Sequence, residues 1–342
     1  MVDVNHWQDP IDITSLPQVR LQRDGRQWSL AGLHEEDHIF KTIRESGEFY
    51  ENGLLSFLGH FLEPNDLVLD VGANIGNHTV WFAGVMGCTV RAFEPIPVIA
   101  QVLARNVILN MLDAQVRVEP FAVGAKSSSA SVTRWQADNS GGTEITAAEV
   151  GPLTVVALDD LSWTQPVRLI KIDVEGMELD VLRGARDIVH RDKPVLAVEA
   201  RDEASDTAVR AWLEDHYYSV LGVFNATPTI VAAPNGNNVG KRSDNYVATA
   251  VESLIERFGD FEKRLDRFGR YLHEQTASAA EERQASRAPR SDHLKTSGED
   301  EVIKSMQRHI DNLEARLASA QEALTKEGLT TPPVDPRGNH HD

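Results

Sequence analysis

A glycine-bearing turn at residues 70–76 constrains the fold of this chain more than any other segment. It has the sequence Asp-Val-Gly-Ala-Asn-Ile-Gly and follows an apolar run that begins at Leu67. Short apolar runs bounded by turn residues are typical of buried strands, and glycine lets the backbone turn sharply and approach a ligand closely. The pattern therefore predicts a buried strand that passes through a tight turn into a helix.

Strand patterns and helix patterns alternate along the chain after this turn. Strands are predicted at 67–72, 89–95, 116–123, 168–176 and 194–200, with two or more late strands in 217–249 and a β-rich insertion at 129–156. Helices are predicted at 75–86, 97–111, 178–190 and 206–216. Alternating strands and helices imply a parallel sheet covered by helices. We therefore expect an α/β, Rossmann-like fold with a mostly parallel seven-stranded sheet.

We place this α/β domain at residues 64–249. Further segments are predicted before and after it. Residues 1–63 are expected to form a hairpin around Asp24 and Gly25 and a helical segment broken near Gly47, both packing on the core. After the domain, apolar residues alternate four and three apart, which is a heptad pattern. We expect an amphipathic heptad helix at 250–276, a disordered linker at 277–300, a short coiled-coil helix at 301–327 and a disordered tail at 328–342.

The two C-terminal helices are expected to mediate contacts with other chains. Their heptad stripes favour a homo-oligomer or docking on a partner enzyme. The second stripe spans only about three heptads, which is short for a coiled coil that must be stable alone. A solitary amphipathic helix is therefore the alternative.

Composition excludes several classes of partner and environment. The 34 basic and 52 acidic residues give a net charge of −18, which repels phosphate backbones, so we expect no nucleic-acid partner. Cys88 is the only cysteine, so no intramolecular disulfide forms, which fits a reducing compartment. No apolar run approaches the roughly 20 residues that span a bilayer, and the N-terminus lacks a signal pattern. We expect a cytoplasmic protein without a membrane span.

The turn at 70–76 does not fit a dinucleotide site. The dinucleotide pattern G-x-G-x-x-G has its middle glycine where this chain has Asn74, and that glycine makes room for a pyrophosphate. S-adenosylmethionine carries no phosphate, so a tight turn over its amino acid portion suits this sequence better. Glu94 ends the second predicted strand, where a carboxylate accepts ribose hydroxyls. The alternative is a Rossmann-like domain that binds another nucleoside or none.

Ionisable residues alternate at the end of the fourth predicted strand. Lys171, Asp173 and Glu175 project to one face because alternate strand residues share a face. Burying three such groups is costly unless that face lines a site. The competing explanation is a structural ion pair or a cap on a neighbouring helix. We favour the site for Asp173 and Glu175, and leave both explanations open for Lys171.

Three sequence blocks together resemble the FkbM-type methyltransferases. They are LVLDVGANIGNHTVWFA, RAFEP and LIKIDVEGMELDVLRGA, which begin at residues 67, 91 and 169. Shorter matches at 49–51, 158–161 and 244–247 extend the resemblance from Glu48 to Val247. It implies a class I S-adenosylmethionine-dependent methyltransferase fold and methyl transfer to a hydroxyl, often of a sugar, glycan or secondary metabolite. The chain has Arg201 where the family often has histidine, two places after a glutamate.

The resemblance also implies roles for particular residues. The turn would hold the amino acid end of the cofactor, Glu94 its ribose, and Asp173 and Glu175 the reacting centre, with Tyr50 and Glu51 closing the pocket. The implied cofactor-binding residues are Glu51, Asp70, Gly72, Ala73, Asn74, Gly76, Glu94, Pro95, Ala122 and Asp173.

Transfer to a hydroxyl requires a group that removes its proton. Candidate bases are Asp173, Glu175 and His78, although His78 also fits a packing role on the first helix. The acidic pair could instead hold a divalent cation, but two carboxylates alone do not support a metal site, and none is assigned. The alternative to an enzyme is a non-catalytic Rossmann-like scaffold that acts through its C-terminal coiled coil.

The segment from His34 to His38 formally matches H-E-x-x-H, the helical zinc-binding motif of metalloproteases. That site needs both histidines one helical turn apart, a third ligand and a cleft. The segment is strongly acidic and precedes the α/β core, which favours an exposed first helical turn. A zinc hydrolase is therefore kept only as an alternative.

Overall fold

A computed structural model describes residues 7–8, 11–135 and 139–235. The predicted elements beyond residue 235 and the block at 244–247 lie outside the described residues. The strands are β1 (Gln18–Arg23), β2 (Arg26–Ala31), β3 (Leu67–Val71), β4 (Thr89–Phe93), β5 (Val116–Glu119), β6 (Ala122–Val123), β7 (Ser128–Arg134), β8 (Glu144–Ala148), β9 (Leu153–Val156), β10 (Val167–Ile172), β11 (Val195–Glu199), β12 (Tyr218–Phe224) and β13 (Thr229–Pro234). The helices are α1 (His38–Ser46), α2 (Asn52–Gly59), α3 (Asn77–Val80), α4 (Pro97–Leu109), α5 (Glu178–Arg183), α6 (Arg186–Asp192) and α7 (Glu203–Asp215).

Seven strands form the main sheet, in the order β12-β13-β11-β10-β3-β4-β5. The five strands from β11 to β5 are parallel, whereas β13 runs antiparallel to both β11 and β12. The short connection at 225–228 permits only an antiparallel hairpin, because a parallel pair needs a long crossover. The sheet therefore has the expected seven strands but is mixed, and the fold is α/β and Rossmann-like.

The strand order places a ligand crevice next to β3. The chain moves from β3 outward to β4 and β5, and then returns to β10 on the opposite side of β3. In open α/β sheets, ligands bind outside the carboxyl ends of the strands where the order reverses in this way. The glycine-bearing turn and the predicted ionisable residues after β10 both lie at this position.

Both faces of the central strands are buried, which explains their nearly continuous apolar sequence. All five residues of β3 are buried. Val68 packs in a cluster with Phe57 and Trp81 on one face, and Leu69 packs in a second cluster with Val181 on the other. The alternation follows from the two-residue period of a strand.

A second sheet, with the order β6-β9-β7-β8, forms from the predicted β-rich insertion. The single strand predicted at 116–123 is wrong, because β5 and β6 belong to different sheets. Pro120 lies between them and has no N–H group for a ladder. The break allows the chain to leave the main sheet and start the insertion.

Two predicted helices differ from the structure. The helix expected at 75–86 has only one α-helical turn, α3, before it continues as a π-helical turn at Trp81–Val85. The helix expected at 178–190 is divided into α5 and α6 around Gly184. The Gly184 carbonyl accepts from the Asp159 N–H at 2.8 Å, and the N–H groups of Asp187 and Ile188 donate to the Asp159 side chain, so these groups bond to Asp159 instead of continuing one helix. None of the described helices is long and apolar enough to cross a membrane.

The predicted hairpin forms around Asp24 and Gly25, both of which have positive φ angles. Asn106 of α4 and Asn110, the residue that caps its C-terminus, attach this hairpin to the core. The Asn106 side chain accepts from the Ala31 N–H (2.6 Å) and donates to the carbonyl groups of Ala31 (2.9 Å) and Ile75 (2.7 Å). Asn110, one helical turn later, bonds to both backbone groups of Ser29. The two carboxamides therefore pair with β2 as a neighbouring strand would.

Replacing Asn106 with Ala should lower the free energy of unfolding by about 3 kcal/mol, because it leaves buried backbone groups without partners. Chemical denaturation of the intact chain measures this loss. Gln101→Ala is the matched control, because Gln101 lies on the same helix and makes only an exposed hydrogen bond. Equal losses in the two variants would contradict the proposed attachment.

Candidate active site

A cavity of about 260 Å³ opens at the carboxyl ends of β3, β4, β10 and β11. The structure brings most of the predicted site residues into its lining. They are Glu51, Gly72, Ala73, Asn74, His78, Glu94, Pro95, Ala122, Asp173 and Glu175. Asp70 and Gly76 are not in the lining. The buried Asp70 accepts a hydrogen bond from the Thr79 hydroxyl at 2.6 Å, and Gly76 begins α3.

Gly72 allows the turn to pass directly against the end of β10. Its φ angle is +78°, and a Cβ atom there would lie 1.7 Å from the Asp173 carbonyl oxygen. The N–H groups of Gly72 and Ala73 both bond to the Phe93 carbonyl at 3.0 Å. A side chain at position 72 is therefore excluded by the protein backbone itself, before any ligand is considered.

Asn74 and Glu94 connect the turn to the end of β4. The Asn74 N–H donates to Oε2 of Glu94 at 3.0 Å, and the Ile96 N–H donates to Oε1 at 2.9 Å. Burial raises the pKa of Glu94 to about 7, although these two hydrogen bonds favour its ionised form. Each carboxylate oxygen retains a second lone pair that can accept a ligand hydroxyl.

Lys171 is a buried cation between β3 and β10. Its ammonium nitrogen lies 3.0 Å from Oδ2 of Asp173, 3.7 Å from Oδ1 of Asp70 and 3.1 Å from the Gly72 carbonyl oxygen. Burial lowers the pKa of Lys171, but the Asp173 and Asp70 carboxylates outweigh burial and raise it overall. Lys171 therefore remains charged. Its contacts hold the end of β3 and the end of β10 together, and its side chain also contributes to the cavity lining.

A carboxylate trio lies at one side of the cavity and consists of Asp173, Glu175 and Glu199. One carboxylate oxygen from each lies within 4.8 Å of the others. Sequence reasoning missed Glu199 as a site residue. The parallel pairing of Ile172 with Val198 places the residues that follow them next to each other. Acidic residues at the ends of two adjacent strands are the pattern that could have identified Glu199.

The three carboxyl groups of the trio differ in their pKa values. Burial and the neighbouring Asp173 charge raise the pKa of Glu199 to about 10, so Glu199 is protonated and donates a hydrogen bond to Asp173. Burial opposes ionisation of Asp173, but Lys171 and Glu199 lower its pKa overall. Burial and Asp173 raise the pKa of Glu175 to about 7. Glu175 is therefore the member that exchanges a proton near neutral pH.

Aromatic and imidazole side chains from the N-terminal segment and α3 also line the cavity. Nε2 of His78 lies 3.2 Å from Oε2 of Glu51, close enough for an ion pair but not aligned for a hydrogen bond. Burial and the nearby Glu51 raise the pKa of Tyr50 to about 12. His38 contacts Tyr50 edge-to-face, with 5.9 Å between ring centroids. The Tyr50-Glu51 pair thus lies at the cavity, as the family resemblance implied.

The structure does not support the H-E-x-x-H interpretation. Helix α1 begins at His38, so His34 precedes it and the two histidines do not lie one turn apart on one helix. Within the described parts of the chain, the carboxylate trio is the only group of three side chains arranged to hold a metal ion. His38 lines the cavity, and Asp37 contacts the cavity wall through Ser140, although sequence analysis treated Asp37 only as part of an acidic run.

Replacing Lys171 with Met should lower the free energy of unfolding by about 3–5 kcal/mol near pH 8, because Asp173 and Asp70 lose their buried cation. The loss should be smaller near pH 5. Without Lys171 the pKa of Asp173 in the folded state would rise above its unfolded value, so the penalty grows as pH increases through that range. Denaturation curves at both pH values measure it, with the exposed Lys126→Met as control. A pH-independent loss would contradict this assignment.

Known proteins provide an independent comparison. A family model described as the methyltransferase FkbM domain matches residues 70–220, which confirms the resemblance carried by the sequence blocks. No curated protein matches the sequence. Among solved structures, methyltransferase FkbM from Methylobacillus flagellatus KT is 23% identical with a TM-score of 0.38, over 49% of this chain and 43% of that one. This chain therefore spans less than half of that protein.

Two further solved structures are more distant in sequence. Precorrin-6y C5,15-methyltransferase from Geobacter metallireducens GS-15 is 16% identical with a TM-score of 0.35, over 54% of this chain and 88% of that one. M. jannaschii TYW2, solved in complex with AdoMet, is 13% identical with a TM-score of 0.33, over 63% of this chain and 84% of that one.

Proposed function

Because residues 70–220 match the family model described as the methyltransferase FkbM domain, we propose that this chain transfers a methyl group from S-adenosylmethionine to a hydroxyl group of a sugar, glycan or secondary metabolite. One observation carries the proposal. A single cavity joins the glycine-bearing turn and Glu94 on one side of β3 to the carboxylate trio on the other. Such a cavity has one half suited to a nucleoside donor and one half suited to proton removal.

The donor half fits S-adenosylmethionine by its chemistry. Each oxygen of the buried Glu94 carboxylate accepts one backbone N–H and keeps a lone pair that can accept a hydroxyl group, which a ribose supplies. Gly72 keeps the turn close to the sheet, and Asn74 occupies the place that a pyrophosphate would need. We assign Glu94 to the ribose, and Gly72, Ala73 and Asn74 to the amino acid end of the donor. When bound, the donor supplies a methyl group already activated on a sulfonium sulfur.

The acceptor half supplies a base and a fixed charge. A general base works best when its pKa lies near the operating pH. Glu175 meets this condition, whereas Asp173 is held ionised by Lys171 and Glu199 is protonated. We therefore assign proton removal from the acceptor hydroxyl to Glu175. Asp173 orients the acceptor and stabilises positive charge, and His78 with Glu51 forms the adjacent wall.

Calorimetry with S-adenosylmethionine and transfer of a labelled methyl group to sugars, glycans and hydroxylated metabolites test the proposal. We expect donor binding by the intact chain and labelling of a hydroxyl oxygen in at least one acceptor class. Failure of the folded chain to bind the donor would overturn the enzyme assignment and favour the non-catalytic scaffold. Labelling only at nitrogen, sulfur or carbon would overturn the assignment to a hydroxyl acceptor.

Donor affinity should increase as pH rises from about 6 to about 8, because the ionised form of Glu94 accepts the ribose hydroxyls and its pKa is about 7. Glu94→Gln should weaken donor binding and remove this pH dependence. Glu119→Gln is the matched control, because Glu119 is a buried glutamate at the end of the next strand, outside the cavity lining. If Glu94→Gln keeps the pH dependence of the native chain, Glu94 does not contact the donor.

Glu175→Gln should lower the rate of methyl transfer by about 100-fold at saturating donor, while the donor dissociation constant changes little. In the native chain the rate should rise with pH through about 7, because only the deprotonated carboxylate accepts the proton. The variant should lose that rise. An unchanged rate and pH profile would remove Glu175 from the mechanism.

A further inference from the structure

A short helical turn at Ser140–Gly142 forms one wall of the cavity. It belongs to the connection between β7 and β8 in the second sheet, so the main sheet does not position it. Asn139 and Thr143, on either side, also line the cavity. Some other contact must therefore determine where this turn lies relative to the donor half.

That contact is made by Asp37, which is fully buried. Oδ2 of Asp37 accepts hydrogen bonds from the Ser140 N–H at 3.0 Å and from the Ser140 hydroxyl at 2.7 Å. Oδ1 accepts from the Phe40 N–H at 3.1 Å and so caps helix α1. One carboxylate thus joins the start of α1 to a turn that lies 103 residues later.

The contact continues from Ser140 into the donor half. The Ser140 hydroxyl oxygen also lies 3.2 Å from Oδ1 of Asn74, so its one proton is shared between Asn74 and the closer Asp37. The Asn74 N–H donates to Glu94 at 3.0 Å. Asn74 has a φ angle of +50°, which is uncommon for a residue with a side chain. Contacts on both its backbone and its side chain therefore hold it in place.

Capping helix α1 does not by itself require a carboxylate at position 37. Asparagine caps helix N-termini about as well as aspartate and avoids burying a charge. A carboxylate is needed at this position only because Oδ2 accepts from two donors of Ser140, which the NH₂ group of asparagine cannot do. The charge at Asp37 thus serves the turn rather than the helix.

We propose that Asp37 and Ser140 are positioning residues for the methyl donor, which fix the 139–143 wall and Asn74 so that Glu94 and the glycine-bearing turn are preorganised for binding. This inference rests on the proposed function, because it assumes that S-adenosylmethionine occupies the donor half. Neither residue takes part in the reaction. Their effect is exerted through Asn74 and the wall.

Asp37→Asn tests the proposal because Oδ1 still caps α1, while the bond from the Ser140 N–H is lost and the Ser140 hydroxyl can only accept from the new NH₂ group. We expect the donor dissociation constant and KM to rise about tenfold, the usual effect of losing a buried hydrogen bond. Turnover at saturating donor should change little, whereas the midpoint of thermal unfolding should fall because a buried N–H group loses its partner, so donor affinity is the quantity that separates a positioning role from a structural one. Calorimetry, steady-state kinetics and thermal denaturation of the intact chain measure the three quantities.

Asp159→Asn is the matched control, because that carboxylate also accepts from two donors, the N–H groups of Asp187 and Ile188, outside the cavity lining. It should leave donor binding unchanged. If Asp37→Asn lowers the unfolding midpoint as Asp159→Asn does and leaves donor affinity unchanged, Asp37 is only structural and the proposal is overturned.

Ser140→Ala decides the question if Asp37→Asn does not fold. It keeps the backbone bond to Asp37 and loses the hydroxyl contacts, so donor binding should weaken by a few fold. Native affinity in Ser140→Ala would overturn the proposal. If the native chain itself does not bind S-adenosylmethionine, both the proposed function and this inference fail. Binding by the native chain with no change in the variants overturns only this inference.

Discussion

The site depends on the interactions that the buried ammonium group of Lys171 makes. It lies between β3 and β10, the two strands at which the sheet order reverses, and it contacts groups from both. Its contact with the Gly72 carbonyl fixes the start of the glycine-bearing turn, and its contact with Asp173 fixes the adjacent strand end. A buried cation is tolerated only when carboxylates compensate it. The two cavity halves proposed to hold the donor and the acceptor are therefore built around one charge.

The Lys171 charge also helps to give the three carboxyl groups of the trio different protonation states. Lys171 lowers the pKa of Asp173 against the effect of burial, so Asp173 is ionised. Burial and the ionised Asp173 raise the pKa of Glu199 to about 10 and that of Glu175 to about 7. Like charges this close cannot all ionise, so three acidic residues of similar chemistry acquire different protonation states through their surroundings.

Much of the fold was predictable because it depends on local patterns. The apolar run before Gly72, the alternation of strands and helices, and the turn at Asp24 and Gly25 each determine structure over a few residues. The errors occurred where a distant backbone or a missing N–H group decided the outcome. Pro120 divided one predicted strand between two sheets, and hydrogen bonds to Asp159 divided one predicted helix at Gly184.

The sequence by itself determined most strands of the main sheet, the glycine-bearing turn and the strand-end residues that line part of the cavity, because strand ends in an α/β fold converge on one edge. Only the tertiary structure decided which side chains meet across long separations. Glu199 joined the site through strand pairing, Asn106 found β2, and Asp37 found Ser140. These contacts depend on how separate elements pack against one another, and the periodicity of the sequence does not indicate that packing. The same packing gave the acidic segment before α1 a buried carboxylate at the cavity wall instead of a metal site.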